Sequence, residues 1–157
     1  MNISIRCATD SDLEQINSLY TQVDDLHVRL LPAIFRRCVE PRPRAVIREW
    51  INGTDSDYLL ALNEKTLLGF LNIKKSSYPN YPMFVQSDFA IIENCVVDES
   101  HRRRGIGERL FDEAVRWSKA KGLESIQITV WNSNLPAMQF YDKFGFKPMH
   151  QRMNLKI

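Results

Sequence analysis

The chain is poor in cysteine and has no long apolar run. Its 157 residues include only 3 Cys, namely Cys7, Cys38 and Cys95, with no C-x-x-C spacing. Neither a disulfide framework nor a metal site is therefore expected, and a reducing, cytoplasmic location is the simplest prediction. Every apolar run is far shorter than the about 20 residues that cross a bilayer, so we expect no membrane contact.

The chain also has no excess of one charge. It carries 21 basic and 19 acidic residues, a net charge of +2, with 44% hydrophobic and 25% charged residues. This composition excludes disordered and collagen-like classes, and dedicated nucleic-acid-binding domains are more basic. The length predicts one domain, 1–157, without a nucleic-acid partner. Binding of nucleic acid by the basic run 102–104 is the weaker alternative.

Apolar spacing predicts an α+β fold. Period-two alternation predicts strands, and 3.6-residue spacing, caps and prolines predict helices. The expected elements are strands near 3–5, 58–62, 67–73, 89–97, 125–131 and within 146–157, and helices from 13 onward and at 33–38, 44–52, 106–122 and 134–143.

The most informative segment follows the strand expected at 89–97. It reads Asp98-Glu99-Ser100-His101-Arg102-Arg103-Arg104-Gly105-Ile106-Gly107 and leads into a helix. Unpaired amides at a helix start, glycines without Cβ and adjacent arginines together predict an anion site, most simply for phosphate. An ordinary helix start beside a solvated basic turn explains the same residues. No G-x-x-x-x-G-K-[ST] motif is present, and Leu110 replaces the third glycine of a dinucleotide fingerprint.

Two blocks carry a resemblance to a known family. Arg102-x-x-Gly105-x-Gly107 matches the [Q/R]-x-x-G-x-[G/A] signature of the GNAT N-acetyltransferase superfamily, and Asn134-x-x-Ala137-x-x-Phe140-Tyr141-x-x-x-Gly145-Phe146 is similar to its C-terminal helix and turn. One departure is Arg103, where many members have glycine. The resemblance implies a three-layer fold, with a mixed central sheet of about six to seven strands and helices on both faces.

The resemblance further implies acetyl-CoA as co-substrate, bound without a metal. Amides from Arg103 to Gly107 would cradle its pyrophosphate, and Arg102 and Arg104 would reach its phosphates. The pantetheine arm would pair with the strand 95–97, in a slot where the fourth and fifth strands splay apart. The Val97 amide would polarise the thioester carbonyl. The implied cofactor-binding residues are Cys95, Val96, Val97, Arg102, Arg103, Arg104, Gly105, Ile106, Gly107 and Asn134.

Tyr141 matches the family's usual general acid, which protonates the departing CoA thiolate. A phenol with a pKa near ~10 holds its proton at neutral pH. Aromatic packing is the alternative role of Tyr141, and an N-cap before Pro136 is that of Asn134. Glu93 is the predicted general base, since period-two counting puts it on the face of Cys95 and Val97. An ion pair is its alternative, and His27 or a water is the alternative base.

The acceptor would lie against the first helical region and the loop 78–83. His27, Asp25, Phe35 and Tyr81 are the predicted substrate-binding residues. Carboxylates beside aromatics suit a cationic amine, although Asp24 and Asp25 equally fit a solvated helix face. We expect a small-molecule or peptide primary amine that attacks directly in a ternary complex, rather than an acetyl-Cys95 route. A non-catalytic CoA-binding module is the alternative, and many family members form homodimers.

Overall fold

The computed structural model describes residues 2–157. Its elements are β1 (Ile3–Cys7), α1 (Leu13–Leu30), α2 (Arg44–Ile51), β2 (Ser56–Asn63), β3 (Thr66–Ser77), β4 (Asp88–Val97), α3 (Ile106–Ala120), β5 (Ile126–Ile128) and α4 (Leu135–Lys143). Short 3-10 helices at Asp10–Asp12 and Glu99–His101 precede α1 and α3. Among these residues no helix has the length and apolar character needed to cross a membrane.

The strands form a single mixed sheet. Its order is β1-β2-β3-β4-β5, antiparallel from β1 to β4, with β5 parallel to β4. A parallel neighbour requires a crossover, and α3 provides it. The predicted α+β class is confirmed.

Helices cover both faces of the sheet. On one face α1 and α2 bury Leu13, Ile16, Leu19, Tyr20 and Ile47 against β2, β3 and β4. On the other face α3 buries Ile106, Leu110, Ala114 and Trp117, and Phe144 and Phe146 pack against the same cluster. Burial of each large side chain stabilises the fold by about 2 kcal/mol, so both faces contribute to the core.

The sheet of residues 2–157 has five strands, fewer than the expected six to seven. The strand expected within 146–157 does not form. Met149, Met153 and Leu155 are exposed there, so the alternation of apolar residues has no surface to cover. Pro148 also removes a backbone donor from any strand pairing.

The helix expected at 33–38 is also wrong. Residues 32–34 form a turn, in which the amides of Ile34 and Phe35 both donate to the carbonyl of Leu31. So short a segment cannot offset the cost of helix nucleation. Phe35 instead stacks on His27, with ring centroids 4.8 Å apart.

A β-bulge interrupts β4. Asn94 pairs with Asn72 and Ile92 pairs with Ile73, so Glu93 between them has no partner on β3. A bulge bends a strand and increases its twist locally. The pairing of β4 with β5 ends at the neighbouring residue, Ile92 opposite Ile128, which makes β5 shorter than the expected 125–131.

An ion pair between a half-exposed arginine and a buried carboxylate fixes the start of α1 to β1. Both Asp12 carboxylate oxygens accept from the Arg6 guanidinium at 2.8 Å, and the Thr9 amide donates to the same carboxylate at 2.8 Å. Asp12 is 4% exposed. The hydrogen bonds from Arg6 outweigh the effect of burial and lower the pKa of this carboxyl below its ordinary value.

We predict that Asp12→Asn lowers the free energy of unfolding at pH 7 by about 2 kcal/mol, because it removes charge-assisted hydrogen bonds in a buried site. A carboxyl with a depressed folded-state pKa stabilises above its unfolded pKa of about 3.9, and this contribution is lost as the pH falls through the folded value. The difference between wild type and variant should therefore shrink in acid. Urea unfolding at several pH values measures it.

Asp10→Asn is the matched control, since Asp10 pairs with Arg48 at the exposed surface of the same 3-10 helix. Asp10→Asn should lower the free energy of unfolding by less than about 1 kcal/mol. Equal costs for the two variants would refute the special role of Asp12.

Candidate functional site

A gap opens between β4 and β5. The two strands pair only from Ala90 to Ile92, so the edge of β4 from 93 to 97 has no β5 partner. The Asp98 amide donates to the Leu68 carbonyl on the β3 side. Because backbone groups alternate along a strand, the Val97 amide points into the gap. The arrangement leaves strand-like donors and acceptors available for an extended chain.

Asp98 organises the loop that follows β4. Its carboxylate accepts from the Ser100 amide at 3.0 Å, from Gln22 Nε2 at 2.8 Å, from the Ser100 hydroxyl, and lies 2.8 Å from His101 Nδ1. Burial raises the pKa of the Asp98 carboxyl, but the hydrogen bonds outweigh burial and hold the pKa well below its usual range. Gln22 also accepts from the Glu99 amide at 3.0 Å, which ties α1 to this loop.

A run of free amides lies at the start of α3. Within residues 2–157, no backbone N–H of residues 102–108 donates to a backbone carbonyl or to a side chain. Gly105 precedes the helix with φ 75°, and Arg103 has φ 59°. This left-handed backbone turns successive N–H groups toward one side, as anion-binding loops do. The segment therefore has the form of a phosphate cradle.

The adjacent arginines add positive charge that is not neutralised. Arg102, Arg103 and Arg104 are exposed, and none forms an ion pair with a carboxylate in the described chain. Arg102 Nε donates to the Val97 carbonyl at 3.2 Å, at the end of the gap. The cradle and the strand edge are therefore contiguous.

Two glycines allow close packing around the cradle. A Cβ on Gly107 would lie 3.2 Å from the Phe140 ring, so its absence lets α4 approach the start of α3. A Cβ on Gly69 would lie 2.6 Å from the Val96 carbonyl, so β3 needs glycine beneath the end of β4.

Tyr141 lies on α4 at the α3 face of the sheet. It is 9% exposed, and its ring contacts Phe140 and Phe146 with centroids 5.3 and 5.5 Å away. Burial, together with the nearby Cys95 thiol, raises the pKa of the phenol above its ordinary value. The predicted packing role is present, and the phenol keeps its proton at neutral pH.

Cys95 packs against the core cluster on the same face. Burial raises the pKa of its thiol to about 12. The protonated thiol is a much poorer nucleophile than the thiolate, which argues against an acetyl-cysteine route. Asn134 caps α4, where its side chain accepts from the Ala137 amide at 3.3 Å.

The bulge puts Glu93 on the opposite face of β4 from Cys95 and Val97. Period-two counting across 93–97 is therefore wrong, because the bulge adds a residue between Ile92 and Asn94. Glu93 pairs with Lys74, with 2.9 Å between Nζ and Oε1, so the predicted ion pair is also present.

The carboxylates expected to face a cationic amine are already paired. Asp25 lies 3.0 Å from Arg37, and Asp24 lies 3.0 Å from Arg42, whose guanidinium stacks over the Tyr20 ring. Both carboxylates are therefore already neutralised within the fold, and Asp24, whose side chain is 17% exposed, does not lie on a solvated helix face.

The remaining predicted substrate residues divide into two groups. His27 stacks on Phe35, and Phe35 meets the Trp131 ring edge-on at 5.6 Å. Burial lowers the pKa of His27, with opposing effects from Asp24 and Arg42, so the imidazole is neutral at pH 7. Tyr81 is 59% exposed and contacts Phe84 instead.

Sequence reasoning missed four residues that shape this region: Gln22, Gly69, Asp98 and Trp131. Asp98 could have been found, because an Asp two residues before Ser100 is typical of a capped turn. The other three act through contacts between distant segments, which spacing along the chain does not reveal.

Comparison with known proteins points to one family of acetyltransferases. The profile of the Acetyltransferase (GNAT) family matches residues 20–146. Streptothricin acetyltransferase of Escherichia coli is 27% identical over 110 residues, covering 70% of this chain and 58% of that protein. The chain thus spans little more than half the length of this relative. A putative phosphinothricin acetyltransferase of Bacillus subtilis is 25% identical over 92% of this chain and 83% of its own.

Solved structures superpose on nearly the whole chain. A mutant of the BH1408 protein from Bacillus halodurans superposes with a TM-score of 0.94 at 28% identity, covering 98% of this chain and 99% of its own. An aminoglycoside N-acetyltransferase in complex with CoA shares the fold with a TM-score of 0.73 at 18% identity, over 99% and 95% of the two chains. With the family profile spanning most of the described residues, the chain belongs to the GNAT acetyltransferase family.

Proposed function

We propose that the protein is an acetyl-CoA-dependent N-acetyltransferase, which moves the acetyl group to a primary amine by direct attack in a ternary complex. The observation that carries this proposal is the run of free amides at 102–108 beside an unpaired strand edge at 93–97. One feature suits a pyrophosphate, and the other suits a chain of amides such as pantetheine. The hydrogen bond from Arg102 to the Val97 carbonyl joins the two features and supports treating them as one binding site.

The residues of β4 and α4 fit the chemistry of acyl transfer. The Val97 amide, aimed into the gap, is the proposed donor to the thioester oxygen, where negative charge develops. Tyr141, protonated and near Cys95 on the α3 face, is the proposed acid for the leaving thiolate. The sulfur of acetyl-CoA would then approach Tyr141, while the thioester carbon stays beside the Val97 amide.

Glu93 is the proposed general base, acting through bound water. The bulge turns its carboxylate toward the face that α1 and α2 cover, away from Tyr141. An amine entering from that face would meet Glu93 before it reaches the strand edge. Lys74 holds the carboxylate in place.

Gly105→Glu is expected to weaken acetyl-CoA binding at least about tenfold, because it adds negative charge to the proposed phosphate cradle. Isothermal titration with acetyl-CoA measures the change. Gly122→Glu is the matched control, since Gly122 has φ 70° against 75° at Gly105, with nothing within 4 Å of an added Cβ. Similar losses in both variants would mean that backbone strain, not the cradle, causes the effect.

Tyr141→Phe is expected to lower kcat by about 100-fold while the Kd of acetyl-CoA stays unchanged, because only the proton donor is lost. CoA release across a panel of amines measures the rate, and thermal unfolding checks that the aromatic packing is kept. Because burial raises the pKa of Tyr141, the acid stays protonated across the neutral and mildly alkaline range. An unchanged kcat would remove Tyr141 from this role. Acetyl-CoA binding without turnover of any amine would instead favour a non-catalytic module.

Glu93→Gln is expected to lower kcat by about 100-fold, with a larger loss than Lys74→Gln. Both variants break the same ion pair, but only Glu93→Gln removes the proposed base. Equal losses would reduce Glu93 to a structural role. A larger loss in His27→Gln would make His27 the base and refute this assignment.

A further inference from the structure

The C-terminal end of α1 lies over the gap, on the face opposite α3. Along the helix, Gln15 accepts from the Leu67 amide at the start of β3, Tyr20 lies 3.4 Å from Asn94 in β4, and Gln22 reaches Asp98 beyond β4. The helix therefore crosses the sheet from β3 toward β5. His27, further along, lies where β4 and β5 have separated.

An aromatic wall spans the gap on this face. We define it as His27, Phe35 and Trp131, joined by a stacked contact of 4.8 Å and an edge contact of 5.6 Å. Trp131 belongs to the segment just after β5, so the wall connects the two sides of the gap. Trp131 remains 40% exposed, which leaves ring surface for a ligand.

The charges around the wall are unfavourable for a polycation. Residues 29–44 contain five arginines, at 29, 36, 37, 42 and 44, and one acidic residue, Glu40. Arg44 is paired with Glu14 and lies 4.0 Å from Glu40, so Glu40 is not a free anion either. The two carboxylates on the adjoining turn of α1, Asp24 and Asp25, are neutralised by Arg42 and Arg37. Glu93 is paired with Lys74. No carboxylate facing the gap from these segments is left without a cation.

We propose that the aromatic wall binds the body of the acceptor, and that the acceptor is a monoamine with an aromatic or apolar body rather than a polyamine or an aminoglycoside. This inference rests on the proposed transferase function. Flat, partly exposed rings favour such a body, and these segments offer no unpaired carboxylate to bind a second ammonium group. The amine at its end would then point toward Glu93 and the strand edge.

Matched amines test the two parts of the inference. Phenethylamine, hexylamine, 1,6-diaminohexane and spermidine would be assayed with the full chain and acetyl-CoA, with acetylated products identified by mass spectrometry. Hexylamine and 1,6-diaminohexane differ by one terminal amino group. We expect kcat/KM to be at least about tenfold higher for hexylamine than for the diamine, and highest for phenethylamine.

Variants test the wall itself. Trp131→Ala is expected to raise the KM for phenethylamine about tenfold, and Trp131→Phe to restore most of the affinity, because the ring contact is what binds. Phe35→Leu, which keeps an apolar side chain, should give a smaller loss in the same direction. Phe84→Ala removes a ring that stacks on Tyr78 in the loop around Tyr81, and it should leave this KM unchanged.

The outcomes are distinguishable. Equal or better use of spermidine or 1,6-diaminohexane would overturn the inference and leave the proposed transferase function intact. A rise in KM for Phe84→Ala but not for Trp131→Ala or Phe35→Leu would overturn the assignment of the wall. Acetyl-CoA binding without turnover of any of the four amines, or of a wider panel, would contradict the proposed function together with this inference.

Discussion

β4 is paired with β3 along nearly its whole length, but on its other edge it pairs with β5 over only three residues. A sheet interior does not normally leave backbone donors and acceptors unused, because unpaired groups lose hydrogen bonds that water would otherwise provide. The bulge at Glu93 bends the strand where β5 leaves it, so residues 93–97 keep a polar edge inside the fold. The cradle, the proposed acid, the proposed base and the aromatic wall are all arranged around this edge.

The conformation of the loop after β4 is set by hydrogen bonds to Asp98 rather than by the arginines of the loop. The Asp98 carboxylate is hydrogen-bonded by Ser100, His101 and Gln22. Gln22 belongs to α1, which lies on the face of the sheet opposite α3. These contacts hold the chain while Arg103 and Gly105 adopt left-handed backbone. The amides of 102–108 are thereby fixed before any ligand arrives, and preorganisation of this kind lowers the cost of binding. Gln22 also makes the position of α1 depend on that of the loop.

Local signals predicted much of this architecture. The change from alternating to helical spacing between Val97 and Ile106, with two glycines at the change, predicted the strand-loop-helix unit that forms the cradle. The face of Glu93 was beyond such reasoning, because the bulge depends on how β4 pairs with β3, and one extra residue reverses the face of every residue before it. The acceptor region was predicted from residue type alone. The sequence does not reveal that Arg42 and Arg37 pair with Asp24 and Asp25 in the folded chain. It also does not reveal that Trp131 contacts Phe35, which is distant in sequence.

The two faces of β4 divide the proposed chemistry. Tyr141 lies with Cys95 on the α3 face, where burial keeps the phenol protonated, and Glu93 lies on the α1 face beside Lys74. A proton would thus be taken from the amine on one side of the strand and given to the thiolate on the other, with the Val97 amide between them. This separation requires both substrates to meet at the edge of β4 at the same time. A buried Cys95 with a pKa of about 12 cannot carry the acetyl group between two half-reactions, since its thiol stays protonated. Direct transfer in a ternary complex is therefore the route that this arrangement favours.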